Sequence, residues 1–292
     1  MMERKNFDVK QFINDALDLV KFKILFFSLL TVLIGAFLTN PVYDQFFFQQ
    51  IIFLLLGTTL IFSAAASFNH AIEVNTDVMM PRTKNRPLVS ERFNFSVVIF
   101  ISLLFAILGS LILYFKVNSM VFFLSFFILV SYDFFYTPLK KISWINTFVG
   151  AIPGAMPVLC GWYAFSNDVS LLIILLFLIF FLWQLPHFFS IAWIQKDAYK
   201  KANIKMISEH DKDGKLTSLV TLISTVLFVI VTLIPYYFNL FSLIYFVIML
   251  IAGVIFFYYS LLFYLTPSDN NARIVLRLSL IYPPLILISI FL

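Results

Sequence analysis

The sequence predicts an all-α, polytopic membrane protein, and three observations point to that fold class. Of the 292 residues, 62% are hydrophobic and only 12% are charged, whereas about 25% of a soluble domain is charged. The apolar residues form stretches long enough to cross a bilayer. The basic residues collect in the connections between them. Since backbone groups in lipid must find partners within their own segment, each stretch is predicted to be a helix.

Nine apolar stretches are candidates for membrane spans. No linker or low-complexity tract separates them, so we expect one transmembrane domain over residues 1–292. The predicted spans lie at about 23–40, 49–68, 95–115, 118–138, 144–164, 170–192, 217–237, 241–264 and 273–292.

The distribution of basic residues predicts an orientation. With nine spans, 19 of the 20 basic residues fall on one side, and only Lys116 falls on the other. The positive-inside rule then places the N-terminus in the cytoplasm and the C-terminus outside, as expected for a bacterial cytoplasmic (inner) membrane. The net charge of +5 therefore reflects topology. We expect the lipid bilayer as a partner and no nucleic acid.

The end of the second span carries polar residues spaced four apart, namely Asn69, Glu73 and Asp77. On a helix each such step turns the side chain by only about 40°, so the three share a face. Two carboxylates so placed repel each other, and a helix C-terminus disfavours anions. A bound Mg²⁺, which also binds substrate phosphate, would offset both effects. The following residues Arg82 and Arg86 would hold phosphate oxygens.

Two further groups lie at the same predicted membrane surface. Tyr136 and Lys140 end the fourth span, where both can reach a phosphate held by the first group. Gln184 and His187 lie inside the sixth span near its cytoplasmic end. A polar residue within a span is a candidate functional residue. The alternative for His187 is a hydrogen bond to a neighbouring helix beside Pro186.

A pair of glycines follows the fourth span. Gly150 and Gly154 are four residues apart, a spacing that lets two helices approach closely. We therefore predict helix packing here in preference to a substrate cavity.

Three stretches of the chain resemble motifs of the UbiA superfamily of membrane prenyltransferases, and more narrowly the protohaem IX farnesyltransferases. In NHAIEVNTDVMMPRTKNRPL, residues 69–88, nine positions match the first acidic motif of that family. The stretch YTPLKKISWINTFVGAIPGAMPVLCGW, residues 136–162, is similar to a second motif, and WQLPHF, residues 183–188, to a third. The resemblance covers nearly the whole chain.

The resemblance implies a ring of spans around a central cavity and an enzyme with two substrates. These are farnesyl diphosphate and haem B, with Mg²⁺ as cofactor. It also implies haem A synthase or a terminal oxidase assembly as candidate protein partners. The implied catalytic residues are Asn69, Glu73, Asp77 and Lys140. The diphosphate would be bound by Arg82, Arg86, Tyr136 and Lys140, and the haem side would be formed by Gln184 and His187.

The second acidic motif departs from the family pattern. Ala198 stands where the family has an aspartate, and Asp197 lies one residue earlier. The resemblance thus implies Glu73, Asp77 and Asp197 as metal ligands. Glu209, Asp211 and Asp213 remain alternatives to Asp197, or form a solvated turn.

Two other functions stay open. A quinone- or chlorophyll-directed prenyltransferase of the same superfamily would keep the acidic motifs, but WQLPHF disfavours it. A transporter is expected to bury ionisable residues near the bilayer midplane, whereas the charged residues here lie at the predicted span ends.

Overall fold

The computed structural model describes residues 8–39, 42–209 and 211–292. These residues form helices and the turns between them. Arg4 and Lys5, which contribute to the predicted division of basic charge, lie outside the described residues.

The N-terminal half contains eight α-helices, two of them extended by a π-helical turn. The π-helical turns are Leu113–Val117, which extends α4, and Ser131–Tyr136, which joins α5 to α6. The helices are α1 (Val9–Leu19), α2 (Phe22–Phe37), α3 (Gln45–Asp77), α4 (Phe95–Ile112), α5 (Ser119–Val130), α6 (Thr137–Leu139), α7 (Asn146–Ala155) and α8 (Pro157–Tyr163).

The C-terminal half contains four long helices and the short elements of one loop. Between α9 and α11 the loop forms α10 and a single 3₁₀ turn at Ile207–Glu209. The helices are α9 (Leu171–Ile194), α10 (Lys196–Lys201), α11 (Lys215–Tyr237), α12 (Leu243–Leu265) and α13 (Asp269–Ile290).

Six of the longer helices begin where a polar side chain accepts a hydrogen bond from one or two of the first backbone amides. Such a cap satisfies donors that the helix itself leaves unpaired, and it therefore sets the start of each apolar run. The capping residues are Asp44 for α3, Asn94 for α4, Asn118 for α5, Ser170 for α9, Ser242 for α12 and Ser268 for α13.

The all-α membrane architecture is confirmed, but the count of nine spans is not. Among the described residues, seven helices are long and apolar enough to cross a membrane, or eight if α1 and α2, bent by 54°, form one span. The predicted span at 144–164 is divided at Met156 into α7 and α8. Pro157, at the start of α8, lacks the amide hydrogen that would continue the ladder of α7.

The helices pack as two halves joined by a shared layer. One apolar core lies among α2, α3, α5 and α8, and a second lies among α9, α11, α12 and α13. Ile34, Trp162 and Phe180 belong to a third cluster, which links α2 and α8 to α9. The two polar loops, between α3 and α4 and between α9 and α11, therefore come from different halves.

The backbones of α2 and α8 approach each other closely where the two helices cross. A methyl group on Gly161 would overlap the carbonyl oxygen of Val32, and one on Gly35 would overlap that of Val158. Two glycines at one crossing let the helix backbones touch, as in small-residue contacts of membrane helices.

Candidate functional site

The last turns of α3 carry the predicted acidic group at a buried position. Asn69 is fully buried and Asp77 is 4% exposed. The helix ends at Asp77, and the Thr83 hydroxyl donates to the Asp77 carbonyl oxygen at 3.0 Å. This bond satisfies one of the carbonyls that a helix C-terminus leaves unpaired. It also folds the loop back towards the helix.

Asp77 pairs with an arginine of that loop. Arg86 Nη1 lies 2.6 Å from Asp77 Oδ2, and both side chains are largely buried. Arg82, the other predicted phosphate ligand, is exposed. The two arginines therefore differ in the described structure: Arg86 is directed at the acidic group, and Arg82 faces outward.

Glu73 pairs with the lysine that follows the predicted fourth span. Lys140 Nζ lies 2.6 Å from Glu73 Oε1 and 4.4 Å from the centre of the Tyr136 ring. Burial lowers the pKa of Lys140, but its neighbours Tyr136 and Glu73 raise it to a value above that of an ordinary lysine. Lys140 therefore carries its positive charge at neutral pH.

A glycine of α7 makes the position of Tyr136 possible. A side chain on Gly150 would overlap the Tyr136 ring, so the ring occupies space that any other residue would fill. The close packing predicted for Gly150 is therefore a contact with the ring of Tyr136, an aromatic side chain of the site.

Asn69 contacts a residue that sequence reasoning did not assign to the site. Lys21 Nζ donates to Asn69 Oδ1 and, at 3.1 Å, to the hydroxyl of Tyr132. Asn69 Nδ2 in turn donates to Thr137 Oγ1 at 2.8 Å. Lys21 lies at the bend between α1 and α2, where its φ is +49°. A lysine before an apolar run is typical of a topology signal, and Lys21 was therefore counted with the basic residues of one side and not with the site.

The second polar loop packs onto the first. Ala202 and Ile204 form a buried cluster with Met80, next to the arginines. The backbone amide of Lys205 donates to the Lys140 carbonyl at 2.7 Å, and Asn146 Nδ2 donates to the Lys205 carbonyl at 2.8 Å. These bonds hold the loop beside the Glu73–Lys140 pair.

The acidic residues of that second loop are not gathered with the first group. Asp197 is exposed, and no cluster of three or more His, Cys, Asp or Glu residues suited to a metal occurs in the described part of the chain. Asp211 accepts from the Thr217 amide at 2.7 Å, Glu209 pairs with Lys205 at 2.7 Å, and Asp213 is exposed.

An opening of about 190 Å³ lies beside the Glu73–Lys140 pair. Thr76, Thr137 and Ile204 also line it. Glu73 lines this opening, and Asp77 lies about one helix turn further along α3. Both carboxylates are hard oxygen donors, the type that Mg²⁺ takes from proteins. Their present partners, Lys140 and Arg86, are the side chains suited to phosphate oxygens. The donor set therefore fits a metal-bound diphosphate.

The residues predicted for the haem side face two different helices. Gln184 Nε2 donates to the Ala151 carbonyl of α7 at 3.2 Å and fills the space that Gly154 leaves. His187 Nδ1 lies 2.9 Å from Ser279 Oγ of α13, and its ring stacks on Trp183 at a centroid distance of 5.7 Å. The hydrogen bond to a neighbouring helix, considered above as an alternative for His187, is thus present.

Comparison with known sequences places these features in one family. The model of the UbiA prenyltransferase family matches residues 28–281. A protohaem IX farnesyltransferase of Flavobacterium johnsoniae is 35% identical over 73% of this chain and 69% of its own. One of Colwellia psychrerythraea is 37% identical over 78% and 74%, and one of Solibacter usitatus is 35% identical over 94% and 96%.

Solved structures show the same fold at low identity. A structure of a digeranylgeranylglyceryl phosphate synthase has a TM-score of 0.79 at 18% identity and covers 95% of this chain and 96% of that one. A UbiA homologue from Archaeoglobus fulgidus, bound to GPP and Mg²⁺, has a TM-score of 0.66 at 13% identity and covers 95% and 100%.

Proposed function

The chain belongs to the UbiA prenyltransferase family, and from this premise we propose that it transfers a farnesyl group to protohaem IX. The donor is farnesyl diphosphate, and the products are haem O and diphosphate. The similar sequences from three bacteria are protohaem IX farnesyltransferases. The observation that carries the proposal is the pairing of Glu73 with Lys140 beside Asp77 with Arg86. These pairs bring two acidic and two basic side chains together near one end of α3, which supports a site for a metal-bound diphosphate.

Glu73 and Asp77 are the proposed Mg²⁺ ligands, with Asn69 beside them and Asp197 as the ligand from the second loop. Bound Mg²⁺ would neutralise part of the charge on the diphosphate. The related structure with GPP and Mg²⁺ supports this choice of cofactor. The four-residue spacing keeps the first three side chains on one helix face.

Arg86, Lys140, Tyr136 and Arg82 are the proposed ligands of the diphosphate. When the carbon–oxygen bond of farnesyl diphosphate breaks, its electron pair leaves with the diphosphate. Fixed positive charges near that leaving group stabilise the transition state. Lys140 is a flexible point charge, and Arg86 offers a planar fork for phosphate oxygens. Each gives up a carboxylate partner in exchange for the substrate.

The allylic carbon becomes cationic as the diphosphate departs, and a vinyl carbon of the haem forms a bond to it. Water then adds to the resulting cation and loses one proton, which yields the hydroxyethylfarnesyl group. Aromatic faces stabilise such cations, and aromatic residues make up 19% of the chain. Gln184 and His187, on α9, are the proposed residues of the haem side.

The second candidate is a prenyltransferase that acts on an aromatic quinone precursor. The two reactions share the diphosphate half and differ in the acceptor. Purified protein in proteoliposomes should release diphosphate from farnesyl diphosphate when haem B is added, and not when 4-hydroxybenzoate is added. Release of diphosphate with 4-hydroxybenzoate but not with haem B would favour the second candidate.

The enzyme is an integral membrane protein, for which we propose the cytoplasmic membrane with the N-terminus inside and the C-terminus outside. The division of basic residues supports this orientation. A reporter fused after Leu292 should therefore read as external, and a cytoplasmic signal would refute the orientation. Haem A synthase or a terminal oxidase assembly is the proposed recipient of the product.

A further inference from the structure

Helix α1 has one apolar side that the described residues of the protein leave uncovered. Val9, Ile13 and Leu17 repeat every four residues and are 59%, 51% and 40% exposed. That spacing places them on one helix face. The polar residues Gln11, Asn14, Asp15 and Asp18 occupy the opposite arc. An amphipathic helix of this kind is suited to the boundary between lipid and water.

The opposite face of α1 is attached to the loop that carries the arginines. Asp15, only 6% exposed, accepts from Arg92 Nε at 2.7 Å and from Arg92 Nη2 at 2.8 Å. This is a bidentate pairing, in which two parallel hydrogen bonds strengthen the arginine–carboxylate contact and fix its geometry. The ring of Phe12 also lies 5.5 Å from that of Phe93.

Arg92 continues the connection to the diphosphate site. Its Nη2 donates to the Asn85 carbonyl at 2.8 Å, and its backbone amide donates to the Pro87 carbonyl at 2.9 Å. Both acceptors flank Arg86, whose Nη1 contacts Asp77 at 2.6 Å. A short chain of hydrogen bonds therefore runs from α1 to the proposed phosphate ligand.

The bilayer surface is the occupant that the exposed face of α1 fits. The helix leads directly into α2 at an angle of 54°, and the first two turns of α2 expose Phe22 and Phe26. The helix with the uncovered face is therefore followed at once by exposed apolar side chains of a helix in the membrane domain. We propose that α1 lies in the membrane interface and that, through the Asp15–Arg92 pair, it positions Arg86 for the diphosphate.

The position of α1 can be measured without any activity assay. Single cysteines at Ile13 and, as the matched control on the polar arc, at Gln11 would carry a nitroxide label in proteoliposomes. The native Cys160 is buried, and the unsubstituted protein serves as the blank. We expect oxygen to collide with the label at position 13 more often than a water-soluble nickel complex does, and the reverse at position 11. Equal access of the nickel complex to both positions would overturn the interfacial placement.

The positioning role is tested by kinetics, and this part rests on the proposed function. Asp15→Asn should raise KM for farnesyl diphosphate about two- to tenfold, with kcat and the KM for haem B little changed. Asp18→Asn removes the same charge from the same arc and should leave KM unchanged.

Two outcomes separate the possible failures. An unchanged KM in Asp15→Asn, in a protein that turns over haem B normally, would overturn the positioning role alone. A protein without farnesyltransferase activity would instead contradict the proposed function, and the label measurement at positions 11 and 13 would still decide whether α1 lies in the interface.

Discussion

Lys140 Nζ lies 2.6 Å from Glu73 Oε1, so two sequence motifs 67 residues apart meet in a single ion pair. A few residues further along α3, Asp77 makes the equivalent contact with Arg86. Each carboxylate proposed to bind Mg²⁺ is thus paired with a cation proposed to bind diphosphate. A metal diphosphate carries both charge signs, so it can replace both sets of partners.

Asp77→Ala should abolish turnover while the protein still folds and inserts. The substitution removes a proposed metal ligand and leaves Arg86 without its carboxylate. The rate of diphosphate release at saturating Mg²⁺ is the measurement, with Asp269→Ala as a control at an exposed acidic position. Near-normal turnover by the Asp77 variant would contradict the metal-binding role.

Arg86→Ala should weaken the handling of the diphosphate more than that of haem. A hydrogen bond to a charged group contributes about 1.5–3 kcal/mol, so KM for farnesyl diphosphate should rise about tenfold or more. Arg86→Lys keeps the charge but lacks the planar guanidinium group. Its KM for farnesyl diphosphate should therefore lie between those of the unsubstituted protein and Arg86→Ala. Equal damage to both substrates would show that Arg86 mainly supports the loop.

Gly161→Ala should destabilise the N-terminal half. The new methyl group would overlap a backbone carbonyl of α2, and overpacking of this kind costs about 1–3 kcal/mol. The midpoint of thermal unfolding in detergent should fall. Gly253→Ala is the comparison variant, because its methyl group meets the side chain of Val229 and no backbone carbonyl. Equal shifts in both variants would mean that the α2–α8 crossing can relax.

His187→Ala should change haem binding and leave the apparent affinity for farnesyl diphosphate unchanged. His187 contacts α13 through Ser279, away from the Glu73–Lys140 pair. The absorption spectrum of bound haem B is the measurement. Ser279→Ala removes the hydrogen-bond partner alone and should have a smaller effect. If the His187 variant binds haem with an unaltered spectrum and affinity, this histidine serves only to pack α9 against α13.

The sequence was most informative where a signal is local. The four-residue spacing of Asn69, Glu73 and Asp77 predicted their shared helix face, since that relation depends only on helix geometry. The apolar stretches predicted the membrane architecture because lipid allows few alternatives to a helix. The contact of the Tyr136 ring with Gly150 was not predicted, because it depends on how α7 packs against the segment that carries Tyr136.

Long-range contacts and helix breaks were the features that sequence reasoning missed. Lys21 joins Asn69 across 48 residues, and no pattern in either segment indicates that contact. The predicted span at 144–164 is mostly apolar, yet it is divided at Pro157 into two helices. Hydropathy measures only the preference for lipid, so it is insensitive to such a break. The assignment of Asp197 as a metal ligand stays a prediction.

The mass of the haem product is the decisive measurement. Purified protein would be incubated with haem B, farnesyl diphosphate and Mg²⁺, and the extracted haem analysed by mass spectrometry beside a reaction with Asp77→Ala. We predict a haem whose mass has increased by one farnesyl group and one hydroxyl group, formed by the unsubstituted protein only. Unmodified haem B in both reactions, together with farnesylation of an aromatic quinone precursor, would contradict the assignment of haem as the acceptor.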